Sequence, residues 1–169
     1  KGLGALEEIE ATLKKAGFEV SIFAKVEPEP LVEKAEAIFE LYAKEDIGII
    51  IGVGGGSVLD ITKLMAMSLA HKIQPRQYCS GKAEPASRGL PLILAPTTSG
   101  TGSELGSYSV ITIDNDKKPF HVTFADIAIV DPKLTVSMPA HVTAFTGMDA
   151  LTHAVEAYIS GFANDVTDD

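Results

Sequence analysis

Ile47-Gly48-Ile49-Ile50-Ile51-Gly52-Val53-Gly54-Gly55-Gly56-Ser57-Val58-Leu59 is the stretch on which the fold depends. Its first seven residues form an almost purely apolar run, the pattern of a strand buried on both faces. The glycine-rich turn Gly52-Val53-Gly54-Gly55-Gly56-Ser57 then opens an amphipathic helix carrying Val58, Ile61, Leu64, Met65 and Leu69. Residues without a Cβ let a backbone approach an anion closely, and the N–H groups of a helix start point at it. The turn is therefore a candidate cradle for a diphosphate; the plain alternative is a tight connection whose glycines supply positive φ. It is not a P-loop, since G-x-x-x-x-G-K-[ST] is absent, and Ser57 replaces the third glycine of G-x-G-x-x-G.

Helical and strand patterns alternate on either side. Leu3, Leu6, Ile9 and Leu13 recur at helical spacing, with Gly17 placed as a C-terminal cap. Residues 18–23 alternate apolar and polar, which predicts a half-buried strand. After Pro28 and Pro30, a helix is expected with Leu31, Ala35, Ile38, Phe39 and Tyr42 on one apolar stripe. Residues 90–95 and 127–130 are two more apolar runs, and residues 107–113 read as a strand ending in the turn Asp114-Asn115-Asp116. This order predicts an α/β fold with a mostly parallel sheet covered by helices. From Pro139 to about Ile159 the pattern is helical, with a break expected at Gly147, and no strand follows. The expected domains are an α/β unit over 1–138 and the start of a helical one over 139–169.

Composition narrows the function. The 169 residues are 46% hydrophobic and 22% charged, a globular composition. Fourteen Lys+Arg against 23 Asp+Glu leave a net charge of −9, and the only adjacent basic residues are Lys14-Lys15 and Lys117-Lys118, which disfavours nucleic acid. Cys79 is the sole cysteine, so neither an internal disulfide nor a multi-cysteine zinc site is available. No apolar run reaches the roughly 18 residues of a membrane span, and no signal-peptide pattern opens the chain. A cytoplasmic protein acting on a small molecule is expected, with no membrane partner.

An open α/β sheet binds its ligand beyond the carboxyl ends of its strands, so the loop after residues 90–95 matters as much as the glycine turn. It reads Pro96-Thr97-Thr98-Ser99-Gly100-Thr101-Gly102-Ser103-Glu104, with five hydroxyls and two glycines. Neutral donors of this kind can wrap a ribose or a diphosphate. Two such loops on neighbouring strand ends favour a dinucleotide. Downstream, Asp149 and His153 are four apart in a helical segment, which puts both on one face within reach of a shared cation. A carboxylate oxygen and a neutral imidazole suit Fe(II), Zn(II), Mn(II) or Ni(II). Two ligands do not complete a site, and His71, His121 and His141 sit in segments with no reason to converge on this pair.

Taken together, these segments resemble the iron-containing (group III) alcohol dehydrogenase family. The matching stretches are Gly-Gly-Gly-Ser at 54–57 with Asp60 and Lys63, Pro-Thr-Thr-Ser-Gly-Thr-Gly-Ser-Glu at 96–104, Ala-Ile-Val-Asp-Pro at 128–132, and Gly-Met-Asp-Ala-Leu-Thr-His-Ala-Val-Glu-Ala-Tyr at 147–158. The resemblance implies a Rossmann-like domain, a segment of a longer protein, and two further histidine ligands beyond Asp169. It implies that Gly54, Gly55, Gly56 and Ser57 bind the pyrophosphate of NAD or NADP. Thr97, Thr98 and Thr101 would line the cofactor cleft, with Leu134 nearby, and Lys118 would stand where a lysine approaches the nicotinamide ribose. Asp149 and His153 would be the first two ligands of Fe2+ or Zn2+ and so the catalytic pair. Asp60 and Lys63 fit the pattern without an assigned role.

Two departures stand out. Where family members carry an acidic residue just after the second strand, this chain has Phe23-Ala24-Lys25, which relaxes the bias toward NAD and admits NADP. The stretch 117–126 is also a few residues shorter than the family pattern.

The activity implied is reversible hydride transfer between an alcohol and its aldehyde or ketone, in a homo-oligomer. Neither G-x-S-x-G nor a Cys–His signature offers a covalent nucleophile. The alternatives are a glycerol-dehydrogenase-like or dehydroquinate-synthase-like enzyme of the same superfamily, and a nucleotide-binding module without chemistry. Two helix-borne histidines downstream would favour an enzyme.

Overall fold

The computed structural model describes residues 3–83 and 87–164. Along the chain run α1 (Leu3–Lys15), α2 (Val32–Tyr42), β1 (Ile50–Gly54), α3 (Gly56–His71), α4 (Pro75–Cys79), β2 (Leu92–Pro96), β3 (Tyr108–Ile113), β4 (Asp116–His121), β5 (Ile127–Ala128) and α5 (Ala140–Ile159). Among these, β1, β2 and β5 form a parallel sheet in that order, while β3 and β4 form an antiparallel hairpin. The unit β1–α3–β2, with β1 and β2 paired in register from Ile50↔Leu92 to Gly54↔Pro96, makes the fold α/β and Rossmann-like.

Helix α3 is the centre of the molecule. Every residue from Leu59 to Leu69 is buried, so it is not the amphipathic helix that its periodicity predicts. One face (Ile61, Leu64, Met65, Leu69) meets Val32, Ala35, Ile38 and Phe39 of α2 together with Cys79 and Ile111. The other face (Leu59, Ala66) meets Leu92 and Leu94 of β2. Covered on both sides, the stretch Leu59–Leu69 has no solvent face, and its polar side chains find partners inside except Ser68 Oγ.

Local chemistry explains the ends of the elements. Gly17 has φ +91°, and the Gly17 and Phe18 amides donate to Lys14 and Leu13 carbonyls, a Schellman end for α1. Asp114 and Asn115 have φ +50° and +63°, the pair of left-handed residues that a two-residue hairpin needs. Beyond them β4 was hidden from sequence reading by Lys117, Lys118 and Pro119, residues typical of an exposed edge. Arg76 of α4 ties the hairpin turn to α2 through Asp114 (3.2 Å), Glu33 (2.5 Å) and Glu36 (3.3 Å).

Four expectations are corrected. Residues 18–23 form no strand: they have no ladder partner among the described residues, and Phe18 and Ile22 are exposed while Phe23 packs against the core. Leu31 lies outside α2 as its N-cap residue, and Val32 takes its buried place. The run 127–130 pairs only through Ile127 and Ala128, and Ile127, Ile129 and Val130 are exposed rather than covered on both faces. Helix α5 continues unbroken through Gly147, because one helical glycine weakens a helix without ending it. No described helix is long and apolar enough to cross a membrane.

Candidate active site

The glycine turn lies at the carboxyl end of β1, where Gly55 (φ −75°, ψ 176°) precedes the first residue of α3. None of the glycines from Gly52 to Gly56 has positive φ, which overturns the plain reading of the turn. They are required for room. A Cβ on Gly54 would stand 2.6 Å from Val58 Cβ, and one on Gly56 would stand 2.9 Å from Thr101 Cγ2. On Gly55 it would meet Thr98 Cγ2 at 3.3 Å. The second loop thus leans directly on the first, and the Thr97 amide donates to the Gly54 carbonyl at 2.9 Å. Gly55 O accepts from the Val58 and Leu59 amides, and no side chain caps the helix start. That leaves the Gly56 and Ser57 amides, ahead of the first helical bond and with Ser57 half-buried, to face an anion.

Deeper along α3 lies a feature that sequence reading left without a role. Lys63 is completely buried, and its Nζ donates to Ser103 O (3.0 Å), Ser103 Oγ (2.8 Å), Gly106 O (3.2 Å) and Tyr108 O. Asp60 Oδ1 stands 3.2 Å from that ammonium and accepts from Ser103 Oγ at 2.6 Å. Asp60 Oδ2 accepts from the Val110 amide at 3.0 Å, and Ser109 Oγ donates to the Asp60 carbonyl. Burial pushes the Lys63 ammonium below the usual lysine range, while the Asp60 carboxylate opposes that shift. The available signal was a lysine and an aspartate three apart inside an apolar helix, which must find partners if that helix is buried.

Asp149 and His153 occupy one face of α5, with Asp149 Oδ2 3.8 Å from His153 Nδ1 and both side chains about half exposed. With metal–donor bonds of about 2.0–2.2 Å, two ligands of one cation stand about 3–4 Å apart, so this pair suits two positions of a shared site. No group of three or more His, Cys, Asp or Glu among the described residues could hold a metal ion. Helix α5 touches the second loop: a Cβ on Gly100 would collide with the backbone carbonyl of Thr146, one turn before Asp149.

The structure therefore brings Gly54, Gly55 and Gly56 together with Thr97, Thr98 and Thr101, and the same loop meets the helix carrying Asp149 and His153. Lys118 and Leu134 stand on separate elements. Lys118 is exposed on β4 and pairs with Asp116 at 2.8 Å, which raises its pKa. Leu134 ends a 3-10 helix, Pro132–Leu134, whose start is capped by the Asp131 carboxylate. His71 bonds Ser87 O, and His121 and His141 meet Tyr108 and Phe145 edge-to-face, so none joins His153.

Comparison with known proteins identifies the family. The profile of the family described as iron-containing alcohol dehydrogenase matches residues 1–132. The chain is 42% identical over 170 residues to long-chain-alcohol dehydrogenase 1 of Geobacillus thermodenitrificans, covering 98% of the chain and 43% of that protein. It is 41% identical to 1,3-propanediol dehydrogenase of Klebsiella pneumoniae, again covering 98% of the chain and 43% of the relative. A crystal structure of an iron-containing alcohol dehydrogenase from Thermotoga maritima superposes with a TM-score of 0.87 at 34% identity, covering 95% of the chain and 45% of that structure. The chain thus spans less than half the length of these relatives. With the family model matched over residues 1–132, the chain belongs to the iron-containing alcohol dehydrogenase family.

Proposed function

We propose that the protein containing this chain is an oxidoreductase that interconverts an alcohol and its aldehyde or ketone by hydride transfer with NAD(P), using a divalent metal held in part by Asp149 and His153. The observation that carries this reading is one loop with two contacts. Residues 97–101 rest on the glycine turn through Thr98 and Thr101, and on α5 through Gly100. A dinucleotide seated at the start of α3 would then lie beside the helix that offers a carboxylate and an imidazole.

The residues divide the work. The uncapped first turn of α3, entered through Gly54 and Gly55, would hold the diphosphate by backbone amides and the helix dipole. Thr98 and Thr101 wall the turn and orient the cofactor, and Thr97 fixes the loop to β1. Asp149 and His153 would hold Fe2+ or Zn2+. When bound, the dinucleotide supplies the hydride and the metal supplies Lewis-acid polarisation of the substrate oxygen.

The names of the relatives, for long-chain alcohols and 1,3-propanediol, support a small alcohol or aldehyde as substrate. Lys25, exposed and without a carboxylate at positions 23 or 24, supports acceptance of the NADP 2′-phosphate. A reducing, cytoplasmic setting fits the free thiol of Cys79, and a homo-oligomer follows the family resemblance.

The test is metal analysis and NAD(P)H-linked turnover of an aldehyde panel by the full-length protein, with both cofactors compared by kcat/KM. Asp149→Ala should lose the metal and about a thousandfold or more of turnover, with NADH affinity kept. Unchanged metal content in that variant refutes the ligand assignment. A strong preference for NAD refutes the role of Lys25.

A further inference from the structure

We propose that Asp60 and Lys63 are positioning residues for dinucleotide binding, acting through Ser103 to hold the loop 97–106 against the start of α3; the proposal rests on the dinucleotide reading above. Both groups are engaged inside the fold. An ammonium has three protons, and that of Lys63 already faces four protein oxygens besides Asp60. Each oxygen of Asp60 accepts a hydrogen bond from loop or strand. Lys63 has no proton left for a ligand, and both residues lie within the buried stretch of α3.

A buried ion pair contributes little net stability compared with apolar residues of the same volume, so its value lies in where it places its partners. Here the partner common to both members is Ser103. Ser103 Oγ bonds both members of the pair, Ser103 O accepts from Lys63, and the Ser103 amide donates to Thr101 Oγ1 at 3.3 Å. Thr101 in turn rests where a Cβ on Gly56 would sit. The loop is therefore tied at its start by the Thr97 amide on Gly54 O, and near its end by Ser103 on α3. Between the ties arch the residues that face the cradle. Releasing the second tie lets Thr101 leave Gly56, which opens the cradle without removing any group that touches the cofactor.

The experiment uses the full-length protein with Ser103→Ala, Ser103→Thr, Lys63→Met and the double variant Ser103→Ala/Lys63→Met. NADH binding is followed by fluorescence titration, alongside steady-state kinetics and metal analysis. Ser103→Ala should raise the NADH Kd and the NAD KM about tenfold, with kcat within about twofold and metal content kept. Ser103→Thr, which restores the hydroxyl, should recover most of that affinity. Lys63→Met should weaken binding by itself but add little in the Ser103→Ala background, because both act through one tie. If Lys63→Met does not fold, the two Ser103 variants decide the matter.

A Ser103→Ala protein with lowered Tm but unchanged NADH Kd overturns the proposal and leaves a purely structural network. Additive losses in the double variant overturn it too, since Lys63 would then act apart from Ser103. A wild-type protein that binds neither NADH nor NADPH brings down the dinucleotide reading itself. Wild-type binding with unaltered variants brings down only the tie.

Discussion

Gly56 and Lys63 show two ways in which a side chain is dictated by neighbours far away in the chain. Gly56 has ordinary backbone torsions, and it is glycine because Thr101, forty-five positions later, occupies the volume a Cβ would fill. Lys63 is charged inside a helix with no solvent face, because carbonyls of the loop after β2 and of β3 surround its ammonium. Composition marked the glycines as a turn, but the reason for them was illegible, since no local signal specifies which distant residue approaches. Cys79 follows the same logic with an opposite chemical outcome. Burial pushes its thiol up to about 12, so in the native state it stays protonated where a free thiol would ionise. We expect it to be inert to a thiol reagent at pH 8 and to react fully on denaturation. Because the folded pKa is raised, its contribution to stability is present below about pH 9 and is lost as pH rises toward 12. Rapid native-state modification at pH 8 would contradict this.

Elements were legible where one local rule sufficed and misread where a partner was needed. Helix α1 with its Gly17 cap, α2, and the turn at Asp114-Asn115 follow from periodicity and turn chemistry. The stretch 18–23 has a strand's alternation but no pairing partner among the described residues, and alternation alone forms no ladder. Strand β4 was missed for the converse reason: its Lys117, Lys118 and Pro119 suit an edge, yet β3 pairs with it through six residues. The contact between the second loop and α5 was also invisible, because it is made by Gly100 against backbone. A methyl group there would stand 2.9 Å from both the carbonyl carbon and Cβ of Thr146, neither of which yields easily. Gly100→Ala should therefore move α5 and lower the stability of the full-length protein by about 1–3 kcal/mol, read from denaturant unfolding. Turnover should fall more than NADH affinity, because the displaced helix is the one bearing Asp149 and His153. Equal losses in both would place the contact outside the catalytic arrangement.

For the molecule as a whole, the distribution of apolar surface is uneven. The core gathers around α3, whereas α5 has no buried residue at all. Phe145, Met148, Leu151, Val155 and Tyr158 recur every three or four positions and, with Ile159 four after Val155, form one exposed stripe. Exposed apolar stripes of this size are rarely left in water. The chain taken alone is expected to bind a hydrophobic dye such as anilinonaphthalene sulfonate. Replacing Phe145 and Leu151 by Gln should reduce that fluorescence markedly, while the full-length protein binds little. Dye binding unaffected by the substitutions would locate the apolar surface elsewhere, with Ile129 and Val130 as the next candidates.

The strand–turn–helix unit at the glycine turn, the threonine loop and the helical spacing of Asp149 and His153 could all be read from the chain, because each depends on residues within a few positions of one another. The burial of α3 on both sides, the tie from Lys63 and Asp60 to Ser103, and the meeting of the loop with both the cradle and α5 could not. They arise from contacts between elements far apart in the chain, set by how the layers stack rather than by any local preference.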